Sequence, residues 1–124
     1  MNEVLIDSNI IIGSIKGRFS ISRLAANKSY VSEISRLEVL GYHKIKPSEE
    51  IHILIFLQHI DHIPISKEVI DRAISIRKNK SMSVGDAIIA ATALLNDLPL
   101  MTANSKDFQH IEDLELIDLK EIGE

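Results

Sequence analysis

A three-layer α/β/α sandwich built on a mainly parallel sheet is the fold that this 124-residue chain predicts. Two observations carry it. Short strand and helix patterns alternate along the whole sequence, as a sheet with helical crossovers requires. The first strand candidate is an unbroken apolar run, as expected for a strand buried on both faces. The length suits a single domain, residues 1–124, with enough core to fold without staples. No internal repeat, low-complexity tract or linker divides it.

The elements follow in order. Glu3 to Ile6 reads as the first strand, ending at Asp7. "IIIGSIKG" reads as a short helix, with Gly17 or the "GRFS" stretch as its stop. "KSYVSE" is a second brief strand, and "SRLEVLGY" starts a helix with Leu37 and Leu40 on one side. Pro47 and Ser48 precede a dense apolar helix on which Ile51, Leu54, Ile55 and Gln58 keep helical spacing. Its run "IHILIFL" holds more apolar residues than one face of a small helix needs. Some of Ile53, Phe56 and Leu57 are therefore expected on a surface covered in a homodimer, with plain core packing as the alternative.

"HIPIS" gives a third strand, and "SKEVIDRAISIRKNK" an amphipathic helix with Val69, Ile70, Ala73, Ile74 and Arg77 at helical intervals. "VGDAIIAATALL" follows as a helix that is apolar nearly all round. Its Ala90, Ala91 and Ala93 admit close neighbours, which predicts a central helix packed on both sides. Leu100 to Thr102 is the next strand, and "LELIDL" the last, at or near an edge.

Composition narrows the function classes. Cysteine is absent, which excludes disulfides, a thiolate nucleophile and a soft-metal site. The N-terminus lacks the basic start and long apolar core of a signal peptide, and no apolar run is long enough to span a membrane. A cytoplasmic protein is the expectation. The net charge of -4 counts mildly against a large nucleic-acid surface. Its distribution says more: residues 1–80 hold 12 Lys and Arg against 9 Asp and Glu, and residues 81–124 hold 2 against 9. Carboxylates gather late, and the earlier part offers a basic rim.

Four acids stand at element junctions. Asp7 closes the first strand, Glu38 lies early in the helix after the second, Asp86 opens the central helix, and Asp107 follows the strand ending at Thr102. Sites on open α/β sheets form outside the carboxyl ends of the strands, where these acids would meet. Capping is the competing explanation. "SRLE" (Ser35 to Glu38), "SVGD" (Ser83 to Asp86) and "NSKD" (Asn104 to Asp107) all have capping-box spacing, and Asp7 suits an N-cap. An acid near a helix N-terminus gains about 0.3–1 kcal/mol in any case. Capping explains each acid singly but not their convergence at one end of a sheet. If they converge, their repulsion calls for a hard cation, and an all-oxygen set favours Mg²⁺ or Mn²⁺ over zinc. One such ion would lower the pKa of an attacking water, and a second would stabilise a leaving oxygen; phosphodiester hydrolysis suits that arrangement.

"VLIDSNIII", "SEISRLEVL", "MSVGDAIIAATAL" and "LMTANSKDF" together resemble the PIN domain, most closely its small VapC-type toxins, over essentially the whole chain. The resemblance implies a PIN-like fold and a Mg²⁺- or Mn²⁺-dependent endoribonuclease acting on RNA, usually dimeric and silenced by a cognate antitoxin. It implies that Asp7, Glu38, Asp86 and Asp107 are the catalytic metal ligands, Asp107 being the more variable. Ser8, Asn9, Thr102 and Asn104 match the supporting polar positions. One departure stands out: many members have Arg where this chain has Ala103, with Arg18, Arg36, Arg77 and Lys106 as candidate replacements.

Other residues read more plainly. "HIDHI" lies beside a strand and Pro64, and surface or boundary roles suit its histidines better than metal ligation. Tyr30 and Tyr42 form no stacking stripe and suit core or interface. Asp7 as a phosphoacceptor would want a paired acid and an earlier lysine than Lys106. A PIN-like module that binds RNA or a protein without turnover is the remaining alternative.

Overall fold

The computed structural model describes residues 2–18 and 27–119. Its sheet has five strands: β1 (Asn2–Ile6), β2 (Asn27–Ser32), β3 (Asp61–Ile63), β4 (Leu100–Thr102) and β5 (Leu116–Asp118). They lie in the order β3-β2-β1-β4-β5, and every pairing is parallel. The helices are α1 (Ser8–Ile15), α2 (Glu33–Leu40), α3 (Pro47–Gln58), α4 (Lys67–Asn79) and α5 (Val84–Leu95), with a 3₁₀ turn at Ser105–Asp107.

The period-2 pleat of β1 divides the core. Leu5 faces the layer containing Val69, Ala73, Ile76 and the alanines of α5. Val4 and Ile6 face the opposite layer, with Ile10, Ile11, Ile53 and Leu57. All three β1 residues are fully buried, so the unbroken apolar run is what a central strand covered on both sides needs. Every residue from Ala87 to Ala93 is buried too, and the four alanines among them let α5 sit deep against α4 and the sheet. No helix of the described residues is long and apolar enough to cross a membrane.

Local chemistry sets most boundaries. Asp7 caps α1 by accepting the Ser8 N–H, and Gly17, at φ +71°, follows its end in the left-handed region that glycine tolerates. The residues beyond Arg18 in the "GRFS" stretch lie outside the described ones. Ser66 and Ser83 cap α4 and α5, each accepting a backbone N–H of the first turn.

Three apolar assignments are corrected. In α3, Ile53 and Leu57 are buried and Phe56 is half-buried, whereas Ile51, Leu54 and Ile55 are exposed. A helix apolar nearly all round has no dominant face, so spacing alone selects the wrong stripe. Leu37 on α2 is 66% exposed, while Leu40 packs against the core. On α4, Val69, Ala73 and Ile76 turn inward, leaving Ile70 and Ile74 exposed.

Candidate active site

Strand order locates the site. The chain runs outward from β1 through β2 to β3 on one side and returns through β4 to β5 on the other. Between β1 and β4 the helical crossovers leave in opposite directions, which opens a crevice at the carboxyl ends of the strands. Asp7 directly follows β1, and Thr102 ends β4 beside it.

Asp7 is 5% exposed and fully engaged: Oδ1 accepts the Ser8 N–H at 2.8 Å, and Oδ2 accepts the Thr102 hydroxyl at 2.8 Å. The Thr102 oxygen in turn accepts the Asn104 N–H at 3.0 Å. Asn9 Oδ1 accepts the Ala103 N–H at 3.4 Å, which ties α1 to the loop after β4. Through these contacts Ser8, Asn9, Thr102 and Asn104 together fix the first acid and the loop that faces it.

Ser8 also reaches a second acid. Its hydroxyl lies 2.6 Å from Glu38 Oε1 and 2.9 Å from Ser35 Oγ. Glu38 is thereby brought from α2 to the start of α1, over a separation of 30 residues. Asp86, in the first turn of α5, has its N–H held by Ser83 Oγ at 3.1 Å. Asp107 is exposed in the 3₁₀ turn.

Electrostatics show that the acids share one field. Burial pushes the Asp7 carboxyl up from 3.8 to about 6; the Thr102 and Ser8 hydrogen bonds oppose this, and the charges of Asp86 and Glu38 add to it. Asp86 is raised as well, mainly by burial, with the Ser83 hydroxyl opposing and Asp107 and Glu38 contributing. Each of the four acids thus perturbs or is perturbed by another. Carboxylates kept together in this way disfavour their own ionised forms, and a hard divalent cation would reverse that. The donor set, all oxygen, fits such an ion. The side-chain positions do not form a finished cage: among the described residues, no three His, Cys, Asp or Glu side chains make a group able to hold a metal.

The capping account is partly right. Ser83 caps α5 through the Asp86 N–H, so Asp86 serves the helix start and the acid cluster together. Ser35 is not a cap. Ser32 caps α2 by accepting the Ile34 N–H at 3.2 Å, which puts Ser35 inside the helix, fully buried, and Glu38 in its second turn. The Asn104 side chain makes no cap to the 3₁₀ turn. Sequence reasoning missed two residues here. Ser35 was hidden by its resemblance to a cap. Gly85 was passed over inside the α5 motif, yet a Cβ there would collide with the Glu38 carboxylate.

Beside the acids lies a groove of about 380 Å³ between α1, α2 and α3. Ser8 and Glu38 line its polar end, and Ile12, Val39, Tyr42 and Ile53 its apolar floor, with Lys16 on the wall. Two of the candidate substitutes for the missing arginine have other partners. Arg36 Nε donates to Glu33 at 2.9 Å, and Arg77 Nε donates to the Met82 carbonyl at 3.1 Å. His62, from "HIDHI", lies between Glu33 Oε1 (3.0 Å) and the Leu57 carbonyl (2.8 Å). Tyr30 is half-buried and donates its hydroxyl to Glu3, whereas Tyr42 is 52% exposed.

Known proteins share this architecture. The family model of the PIN domain matches residues 4–114. A "Ribonuclease VapC" from Rickettsia bellii is 26% identical over 128 residues, covering 92% of this chain and 94% of its own. A solved "Toxin-antitoxin complex from Klebsiella pneumoniae" contains a chain 32% identical, with a TM-score of 0.78 and coverage of 92% of this chain and 95% of that one. VapBC2 from Rickettsia felis, solved bound to a DNA fragment from its promoter, matches in fold at a TM-score of 0.82, 24% identity and coverage of 94% and 98%. The match over residues 4–114 and the relatives that span nearly the whole length agree: the chain belongs to the PIN domain family, in its VapC-type branch.

Proposed function

We propose that this protein is a Mg²⁺- or Mn²⁺-dependent endoribonuclease, the toxin of a toxin–antitoxin pair, acting in the cytoplasm. The observation that carries the reading is the placement of Asp7. A buried carboxylate is held by two donors at the sheet's switch point, and its charge is opposed by Glu38 and Asp86. A scaffold gains nothing from such repulsion, whereas a cation site depends on it. The names of relatives, a ribonuclease and a chain of a toxin–antitoxin complex, support the same reading.

Asp7, Glu38 and Asp86 would hold the ion, with Asp107 at the open side of the cluster. A bound divalent cation would activate water and offset charge on the phosphodiester oxygens. The chain's own residues prepare the site. Thr102 and the Ser8 N–H orient Asp7, and Ser8 Oγ orients Glu38. Lys106 beside Asp107 is a cation suited to RNA phosphates, and Lys16, in the groove and 4.0 Å from Glu49, is a second that would have to leave that partner. Ala103 carries only a methyl group at the position where many family members have arginine, so phosphate contacts would have to come from other cations such as Lys106 or Arg18.

The groove also suits the second partner. Its apolar floor against an acidic end would take a protein segment with apolar side chains and a cation, which is the chemistry expected of an inhibitory antitoxin. A homodimer would cover Ile70, Ile74 and Val84, which line one surface depression between α4 and α5.

RNA cleavage by the purified chain tests the proposal. EDTA is expected to abolish cleavage of a tRNA, rRNA-fragment and mRNA panel, and Mg²⁺ or Mn²⁺ to restore it. Cleavage that persists in EDTA would sink the metal mechanism. Binding of RNA without any cleavage would favour the non-catalytic module.

A further inference from the structure

Glu38 is an exposed side chain with several rotatable bonds, and in isolation its carboxylate would sample many positions. Two features restrict it. At α5, the three atoms nearest to a Cβ built on Gly85 all belong to the Glu38 carboxylate: Oε2 in collision, Cδ at 3.1 Å and Oε1 at 3.6 Å. The missing side chain therefore leaves a notch that this carboxylate occupies. At α1, Oε1 meets the Ser8 hydroxyl at 2.6 Å, and that hydroxyl meets Ser35 at 2.9 Å.

Proton counting orders the second contact. A serine hydroxyl carries one hydrogen, and an ionised carboxylate can only accept. Ser8 therefore donates to Glu38, and the fully buried Ser35 donates to Ser8. Such a chain polarises along its length and strengthens its last bond. Ser35 touches no acid itself, yet it fixes which way the Ser8 hydrogen points.

We propose that Gly85 and Ser35 are positioning residues for Glu38: the notch and the two-serine chain hold its carboxylate at the place from which it serves the cation site. The proposal rests on the metal-dependent reading above and extends it to two residues outside the acid set. Gly85 is informative because helix propensity argues the other way. It is the second residue of α5, where alanine would form helix better than glycine. The group displaced by a methyl is the far end of a flexible side chain, so the fold adjusts by moving Glu38 rather than the backbone.

Mn²⁺ titration by calorimetry, combined with thermal unfolding, separates the outcomes. Gly85→Ala is expected to keep or raise Tm while weakening Mn²⁺ binding roughly 10-fold, the lower range for residues that orient metal ligands. Ser35→Ala should weaken it less, because Ser8 can still donate. In a Glu38→Ala background, Gly85→Ala should raise Tm more than in the wild type and change Mn²⁺ affinity no further. Wild-type protein that binds no Mn²⁺ would remove the metal reading and the proposal with it. Wild-type binding matched by undiminished binding in both Gly85→Ala and Ser35→Ala would overturn the proposal alone. So would a Gly85→Ala chain that fails to fold even in the Glu38→Ala background, since the glycine would then serve backbone packing.

Discussion

Helix α2 carries two glutamates one and a half turns apart, and the molecule treats them in opposite ways. Glu33, toward the sheet edge at β3, is paired. Arg36 bonds it at 2.9 Å and His62 at 3.0 Å, and Arg36, with His62 adding to it, holds its carboxyl below the usual range against the cost of burial. Nearby, Lys28 faces Asp61 at 3.5 Å in the same manner. Glu38, toward the switch point, faces Ser8, Asp7 and Asp86, and its charge helps to raise both aspartates. The edge neutralises its charges within the fold. The switch point concentrates like charges and supplies neutral donors to hold them still. The contrast separates ion pairs that serve structure from an acid cluster whose free energy improves only when a cation arrives.

The sharpest way to break that contrast is to remove one acid from the cluster. Asp86→Asn keeps the N–H that Ser83 caps, so α5 should start normally and the chain should fold. Cleavage of RNA should fall by more than the roughly 10–100-fold typical for residues that only orient ligands. A variant that loses its thermal transition along with its activity would instead place Asp86 among the structural caps.

Acidification reads the same cluster without any substrate. Asp7 has its folded pKa raised to about 6 against an ordinary 3.8. The folded state therefore binds more protons between those values, and stability contributed by this group is full below 3.8 and lost as pH rises through 6. The difference is roughly 3 kcal/mol for a residue this buried. In EDTA, unfolding free energy should thus rise by about 1 kcal/mol on going from about pH 7 to about pH 5 through this residue. Asp7→Asn isolates the effect. Its Oδ1 can keep the Ser8 N–H while its amide donates to a rotated Thr102 hydroxyl, so the variant should be more stable than wild type near neutral pH and lose the slope. An unchanged slope in Asp7→Asn would assign the titration to other groups.

Why was the cluster legible in the sequence when parts of its surroundings were not? Strand ends are marked by where apolar runs stop, and Asp7 and Thr102 stand at such stops, so parallel topology brings them together by necessity. The three-layer order was readable for the same reason. Helix faces were harder. In α3 the apolar residues go nearly all round, and only the packing against α1 and α2 decides that Ile53 and Leu57 turn inward. Ser35 shows a different obstacle. Its spacing to Glu38 imitates a capping box, but Ser32 lies three residues earlier and begins the helix first. Gly85 leaves no periodic trace at all, because its role lies in what another helix puts where its side chain would be.

The paired region gives the smallest effect and the opposite sign. Glu33→Gln removes a charge that Arg36 and His62 both face, but the carboxylate is partly exposed and solvent screens it. The amide oxygen can still accept from one of the two. The expected loss is about 0.5–1 kcal/mol near neutral pH, read as a drop in Tm of a few degrees. RNA cleavage should change little, since these partners lie outside the acid cluster. The pH dependence then distinguishes the two regions. A depressed carboxyl stabilises above its ordinary value, 4.5 for Glu33, and that contribution disappears as pH falls through the lower folded value. The Tm gap between wild type and Glu33→Gln should therefore close only below about pH 4.5, whereas the gap between wild type and Asp7→Asn narrows from about pH 6 downward because wild type gains. Wild type thus loses stability at one end of α2 while gaining it beside the other. A Glu33→Gln gap that stays constant from about pH 7 to about pH 3.5 would mean that the ion pair is geometry without electrostatic consequence, and that only one of the two regions responds to charge.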